Sequence, residues 1–253
     1  MKCPGQDSRF WKPGSIFEIP CPLCGQAIEF FKDDTTRRCK KCGHRLLNPR
    51  MDFGCASYCQ YAEQCLGDLP PELLAQKEDL LKDRVAVEVK KYFGKEFRLI
   101  GHTTKVARYA EQIGKEEKGN LAVILTAAYL HDIGILEAKR KYQSAAARNQ
   151  EEEGPSIAWD ILSRLGARKE LTEEVCDIVG HHHHPREEET TNYSVLYDAD
   201  LIVNLEEAQK EKPLQPDRME QITQKSFLTE SGRKLWEKVK DEREKVKGTR
   251  DED

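Results

Sequence analysis

The chain has 253 residues, 34% of them charged and 38% hydrophobic, with a formal net charge of −4. That is enough for one medium domain and a small one. The acidic balance weighs against an open nucleic-acid-binding face, and no uninterrupted apolar run reaches the roughly 20 residues of a membrane span.

The N-terminus, Met1-Lys2-Cys3-Pro4-Gly5, has no apolar leader segment. The nine cysteines are therefore read as metal-binding thiols of a cytoplasmic chain rather than as disulfides. Eight of them lie in the first 65 residues. Cys21-Pro22-Leu23-Cys24-Gly25 and Cys39-Lys40-Lys41-Cys42-Gly43 are two C-x2-C-G knuckles separated by 14 residues. Each knuckle points two thiolates at one centre, and together they supply the four sulfurs of a tetrahedral zinc. Rubredoxin-like iron uses the same geometry and is the alternative ion. Between the knuckles, residues 27–31 read as one strand, with a turn near Asp33 and Asp34. The pattern resembles a zinc ribbon. So short a segment has few apolar residues, and metal binding would be its folding energy. Cys3, Cys55, Cys59 and Cys65 would make a second four-sulfur site if the chain returns on itself. That site would take a [4Fe–4S] cluster or a second zinc, with free redox-active thiols as the third reading. Asp68-Leu69-Pro70-Pro71 closes the module as a linker.

Beyond the linker the apolar period is helical throughout, so the fold class expected is mainly α: an all-α bundle behind a small metal-bound module. Residues 71–93 carry Leu73, Leu74, Leu80, Leu81, Val85 and Val89 between charges, until Gly94 interrupts. Residues 97–118 place Ile100, Val106, Ala107, Ala110 and Ile113 on one side. Residues 121–130 are almost wholly apolar and predict a buried central helix, closed by Gly134 as a left-handed C-cap. Gly154 and Pro155 read as a helix start, with Gly166 as its stop. Thr172 reads as the N-cap of a helix through Val175, Ile178 and Val179, with Cys176 as ordinary core. Residues 194–207 make the next helix. Residues 217–247 read as two charged helices packed through Phe227, Leu228, Leu235, Trp236 and Val239, before an unstructured tail over 248–253. The domains expected are thus a cysteine-rich module over 1–70, a helical domain over 71–212, and charged C-terminal helices with a tail over 213–253.

The ligand-type side chains fall on these helices. His102 sits mid-helix, and His131-Asp132 ends the apolar helix. Asp198 and Asp200 lie among apolar neighbours, where a buried carboxylate requires a cation. This order, H…HD…D on an all-α bundle, resembles the HD-domain superfamily of metal-dependent phosphohydrolases over roughly residues 95–210. The resemblance implies His102, His131, Asp132 and Asp200 as metal ligands, with Asp198 behind Asp200. In two-ion members further histidines lie between the doublet and the last aspartate. Here His181 matches one such position, whereas Glu151, Glu152 and Glu153 stand where another is expected. His182, His183 and His184 form a polar run closed by Pro185, one of which could contact phosphate. Mixed imidazole and carboxylate ligands admit Mn, Fe, Mg, Co or Ni.

The function implied is hydrolysis of a nucleotide or other small phosphoester. Asp132, Glu153 and His181 are the catalytic candidates beside the metal, and a carboxylate of the 151–153 run manages the proton if Asp132 does not. Arg98, Lys105, Lys139, Arg140 and Lys141 are candidates to neutralise phosphate, Lys105 foremost because it follows His102 by three residues and shares its face. The alternative is a ligand- or redox-sensing regulatory protein, or a nucleic-acid-binding module acting through the basic residues of the ribbon. The expected partner is the small phosphorylated substrate, with no membrane; assembly as a homo-oligomer is left open.

Overall fold

In a computed structural model of the protein, the residues described are 14–32, 34, 36–50, 71–211 and 214–248. Cys3, Cys55, Cys59 and Cys65 lie outside them, as does the tail over 249–253. The chain divides into two compact units at residues 77 and 78.

In the first unit, β1 (Ile16–Pro20) pairs antiparallel with β2 (Ala27–Phe31), and β3 (Thr36–Arg38) with β4 (Arg45–Leu47). Each cysteine knuckle is the turn of one hairpin. The turns close alike, Gly25 N–H on the Cys21 carbonyl and Gly43 N–H on the Cys39 carbonyl, both at 2.9 Å. Gly25 and Gly43 have φ of 71° and 73°, the left-handed backbone that glycine supplies without strain. Only the strand over 27–31 was legible in the sequence. β1 is as long as β2 but was not read, whereas β3 and β4 have three residues each and carry Thr36, Arg37, Arg38 and Arg45, with no apolar alternation to reveal them. The core is small: Cys21, Ile28, Phe30 and Cys39 are buried, with Phe17 stacked on Phe30.

The second unit is helical. Its elements are α1 (Pro71–Phe93, which begins before the division), α2 (Phe97–Glu116), α3 (Leu121–Leu130), α4 (Ile135–Tyr142), α5 (Ala147–Leu165), α6 (Lys169–Val179), α7 (Thr191–Glu211), α8 (Pro216–Lys225) and α9 (Glu230–Gly248). The all-α expectation therefore holds among the described residues after 70. Helix α3 is apolar on every face, and it packs against α2, α6 and α7. The window Leu121–Tyr142 is apolar enough on average to span a membrane, but it is mostly buried and is broken by the turn at 131–134. It is the central element of the bundle.

Three local expectations are corrected. Gly134 is not a left-handed cap: its φ is −72°, and it starts α4, a short helix the sequence reading missed. Glycine is needed there because a Cβ would collide with the Gln150 carbonyl oxygen and lie 2.8 Å from the Gly154 nitrogen. Gly154 and Pro155 do not begin a helix but sit inside α5. Pro155 forfeits one backbone bond, and Gly154 lets α5 approach α6, since a Cβ would lie 2.7 Å from Val179 Cγ1. Thr172 is not an N-cap: α6 starts at Lys169, and the Thr172 hydroxyl donates to the Arg168 carbonyl at 2.9 Å.

Helices α8 and α9 belong to the same unit as the bundle rather than to a separate segment. Trp236 is 1% exposed, and its Nε1–H donates to Thr223 Oγ1 at 3.1 Å. Asp198, which the reading placed behind Asp200, instead anchors this C-terminal hairpin. Its carboxylate accepts the Leu228 and Thr229 amides, each at 2.8 Å, and the Thr229 hydroxyl at 2.6 Å. Burial pushes its pKa up to about 6 against those bonds.

The Gly134 contact gives a prediction. Gly134→Ala should lower the stability of the helical unit by about 1–3 kcal/mol, the usual cost of forcing a methyl into a packed contact. Thermal unfolding followed by helical circular dichroism checks it; an unchanged melting temperature would contradict the close approach.

Candidate metal centres

Three helices deliver one cluster. His102 comes from the buried stripe of α2, His131 caps the end of α3, and Asp200 comes from the middle of α7, which buries residues on all sides. Asp132 follows His131 into the turn. Adjacent helical residues diverge by about 100°, so the doublet can serve one point only where the helix stops, and α3 stops there.

Four donor atoms converge. His102 Nε2 lies 3.0 Å from Asp200 Oδ1 and 3.3 Å from His131 Nε2. Asp132 Oδ2 lies 3.4 Å from His131 Nε2 and 3.7 Å from His102 Nε2, and His131 Nε2 is 3.6 Å from Asp200 Oδ1. Ligands about 2.1 Å from one ion stand about 3.0–3.4 Å apart, so the spacing suits a shared cation. Each of the four residues is under a tenth exposed.

The second carboxylate oxygen of Asp132 faces another group. Asp132, His182 and His183 place donor atoms within 4.8 Å of one another. His182 Nε2 is buried without any partner, 3.9 Å from Asp132 Oδ1. An orphaned ring nitrogen in so polar a place is suited to binding an ion. The outer nitrogens are already engaged: His131 Nδ1 bonds the Ala128 carbonyl at 2.8 Å and His182 Nδ1 the Val179 carbonyl at 2.9 Å. That leaves each Nε2 lone pair for an ion, the arrangement usual for metal-bound histidine. Asn204 Nδ2 donates to Asp200 Oδ2 at 2.9 Å and fixes that carboxylate.

Charge follows from this geometry. Burial disfavours the imidazolium, but Asp132, then Asp200 and the Ala128 carbonyl, lift His131 to about 9. Burial would raise Asp132, yet His131 and then His182 hold it well below the usual carboxylate range. Asp200 is likewise lowered against its burial, by His102 and His131. His183 is pushed down to about 4, by burial and then by His182, so it is neutral near pH 7.

Other sequence candidates stand elsewhere. His181 is outside both groups: its ring stacks on Tyr193 and its Nε2 lies 3.1 Å from Glu189 Oε1. Helix α6 has ended by then, and His182 and His183, not His181, turn inward. Glu153 is occupied by Lys141 Nζ at 2.6 Å and the Tyr142 hydroxyl at 2.9 Å, which hold its pKa below the usual range, Lys141 first. Lys105 lies at the edge of the cluster, 3.7 Å from Glu207 Oε1, an oxygen that is 3.6 Å from His102 Nδ1. Arg98 reaches the same carboxylate at 3.8 Å and Glu211 at 3.1 Å. Lys139 and Arg140 belong to α4, where Arg140 pairs with Glu137. The reading missed His182, His183, Asn204 and Glu207 as parts of this network. Only the histidine run signalled any of them, without showing which members face inward.

In the first unit, Cys21 and Cys42, and Cys24 and Cys39, are paired at 3.5 Å between sulfurs, and all four lie within 4.8 Å. Sulfurs on one tetrahedral ion at about 2.3 Å stand about 3.8 Å apart. The Cys42 amide, outweighing burial, draws the Cys39 thiol down to about 6; the His44 amide would lower Cys42, but burial together with the sulfurs of Cys21, Cys24 and Cys39 pushes it up to about 12. Four thiols this close cannot all ionise without a cation, and the set can hold a metal.

Known proteins give the following likenesses. The model of the HD domain matches residues 99–241. A protein described as a predicted HD superfamily hydrolase, from an uncultured Thermotogales bacterium, is 24% identical, with 68% of this chain and 92% of that chain covered and a TM-score of 0.48. Bacillus subtilis YpgQ is 20% identical, with 64% and 88% covered and a TM-score of 0.44. No curated protein matches the chain.

The raised His131 pKa yields a prediction for metal-free protein. A histidine lifted from 6.5 to about 9 stabilises the fold fully below 6.5, and the gain is lost as pH rises through 9. An ion at His131 must displace that proton. Binding of Mn2+ at pH 7.5 should therefore release about one proton, read as the buffer dependence of the calorimetric enthalpy. A heat independent of buffer ionisation would contradict the assignment.

Proposed function

The chain belongs to the HD-domain family, and on that premise we propose that it is a metal-dependent phosphohydrolase acting on a nucleotide or another small phosphoester. One observation carries the reading: His102 Nε2, His131 Nε2, Asp132 Oδ2 and Asp200 Oδ1 are buried together, each 3.0–3.7 Å from at least two of the others.

His102, His131, Asp132 and Asp200 would hold one divalent ion, and Asp132 with His182 and His183 a second. Such an ion would supply Lewis acidity, activating water as a nucleophile and polarising a phosphoryl oxygen. The protein's own groups do the rest. Asp132 stands between the two groups, Oδ2 toward His102 and His131 and Oδ1 toward His182. His183 is half-buried and neutral near pH 7, the state in which an imidazole nitrogen can coordinate an ion. Lys105 and Arg98 bring positive charge to the edge of the cluster, where Glu207 restrains both, and can offset phosphate charge. Glu153 and His181 have other partners and take no part in this account.

Phosphate release from a panel of nucleotides and simple phosphoesters, with different divalent metals, tests the proposal. Asp132→Ala should lower turnover by more than about a hundredfold, beyond the loss expected for an outer partner of a ligand. Lys105→Ala should weaken turnover while leaving metal content unchanged. Wild-type activity retained by Asp132→Ala would refute the site.

The cysteine unit supports two further proposals. Its ion is zinc, which fits four thiolates at tetrahedral spacing; chelation should unfold residues 14–50 and leave the helical unit's melting unchanged. Its surface favours a nucleic-acid contact. Arg38 and Arg45 stand directly opposite across β3 and β4, a like-charge pair that is unfavourable alone. Lys40 and Lys41 are exposed beside them. Binding of single-stranded RNA or DNA by the full chain that falls steeply with salt would bear this out; no binding at low salt would dismiss it.

A further inference from the structure

Glu151 stands on α5, where the resemblance to two-ion family members leads to the expectation of a ligand. Its side chain is 10% exposed, yet neither of its oxygens belongs to the group of Asp132, His182 and His183. Oε1 accepts the His183 backbone N–H at 2.9 Å, and Oε2 lies 2.7 Å from His184 Nδ1. One carboxylate thus grips two successive residues of the turn that follows α6. Immediately before them, His182 is 3% exposed, with its Nδ1 on the Val179 carbonyl and its Nε2 unpartnered toward Asp132. The turn has backbone bonds of its own, His181 N–H on the Ile178 carbonyl at 3.2 Å and His184 N–H on the His181 carbonyl at 2.8 Å, and between them the His183 N–H goes to Glu151.

We propose that Glu151 is a positioning residue that sets the second-ion group. It holds the turn so that two consecutive histidines, His182 and His183, reach Asp132 together, and it does not ligate the ion itself. The acidic residue on α5 thereby replaces a ligand with a support, and the histidine run supplies the nitrogens. The inference rests on reading the His/Asp cluster as a metal centre.

The test is electron paramagnetic resonance of the zinc-loaded full chain titrated with Mn2+. Wild type should show an exchange-coupled pair when the second ion binds. Glu151→Ala should leave the six-line signal of a single ion, with second-ion affinity weakened at least about tenfold, as for loss of an outer partner. Glu151→Gln should restore the coupled pair, because its amide oxygen still accepts the His183 N–H. Retention of the first ion by Glu151→Ala shows that the bundle is intact. If that variant does not fold, His184→Ala removes only half of the grip and should weaken the second ion by a smaller factor. A coupled pair in Glu151→Ala overturns the proposal. So does Glu151→Gln as defective as Glu151→Ala, which would make Glu151 a ligand, and so does a wild type that binds a single ion. Phosphate release is read separately: a coupled pair that depends on Glu151 in a protein with no turnover would refute the hydrolase and uphold this role.

Discussion

The helical unit depends on a collection of buried charge that its own side chains do not neutralise. Asp132 and Asp200 are 7% and 8% exposed, with His102, His131 and His182 beside them at 7%, 1% and 3%. Placing carboxylates there is expensive unless a cation is close. In the metal-free protein a proton on His131 fills part of that need, which is why its pKa climbs against its burial. A divalent ion would fill it more completely. The same donors would therefore serve both stability and metal binding.

Positioning is accomplished by helix ends. Helix α3 is buried on every side and can present side chains only where it terminates, so His131 and Asp132 fall at its C-terminus. The turn that follows must pass close to α5, and Gly134 and Gly154 provide the clearance. Helix α7 offers Asp200 to the cluster and Asp198 to the C-terminal hairpin. Two aspartates separated by one residue thus have separate duties, one at the cluster and one holding α8 and α9 to the bundle.

Much of this was legible from the residues. The apolar run over 121–130 announced the central helix because periodicity is a local property, and the order of His102, His131-Asp132 and Asp200 announced the cluster through its resemblance to the HD family. The C-x2-C-G knuckles were legible from their local spacing. What escaped depends on distant contact. Gly134 looks like a cap until the Gln150 carbonyl is seen beside it. Pro155 looks like a helix start because the packing that tolerates it within α5 lies on other segments. His181 cannot be told from His182 by spacing alone: which imidazole enters the core depends on the residue at which α6 unwinds, and on Glu189 and Tyr193 capturing the outer one.

The cysteine unit follows another physical rule, a small core completed by a set of thiols. The central claim concerns the bundle. It is tested most directly by a crystal structure of the protein with Mn2+, using anomalous scattering to locate the ion. A peak is expected among His102 Nε2, His131 Nε2, Asp132 Oδ2 and Asp200 Oδ1, about 2.0–2.3 Å from each. An empty cluster in crystals soaked at saturating Mn2+, or an ion bound only elsewhere, would contradict it.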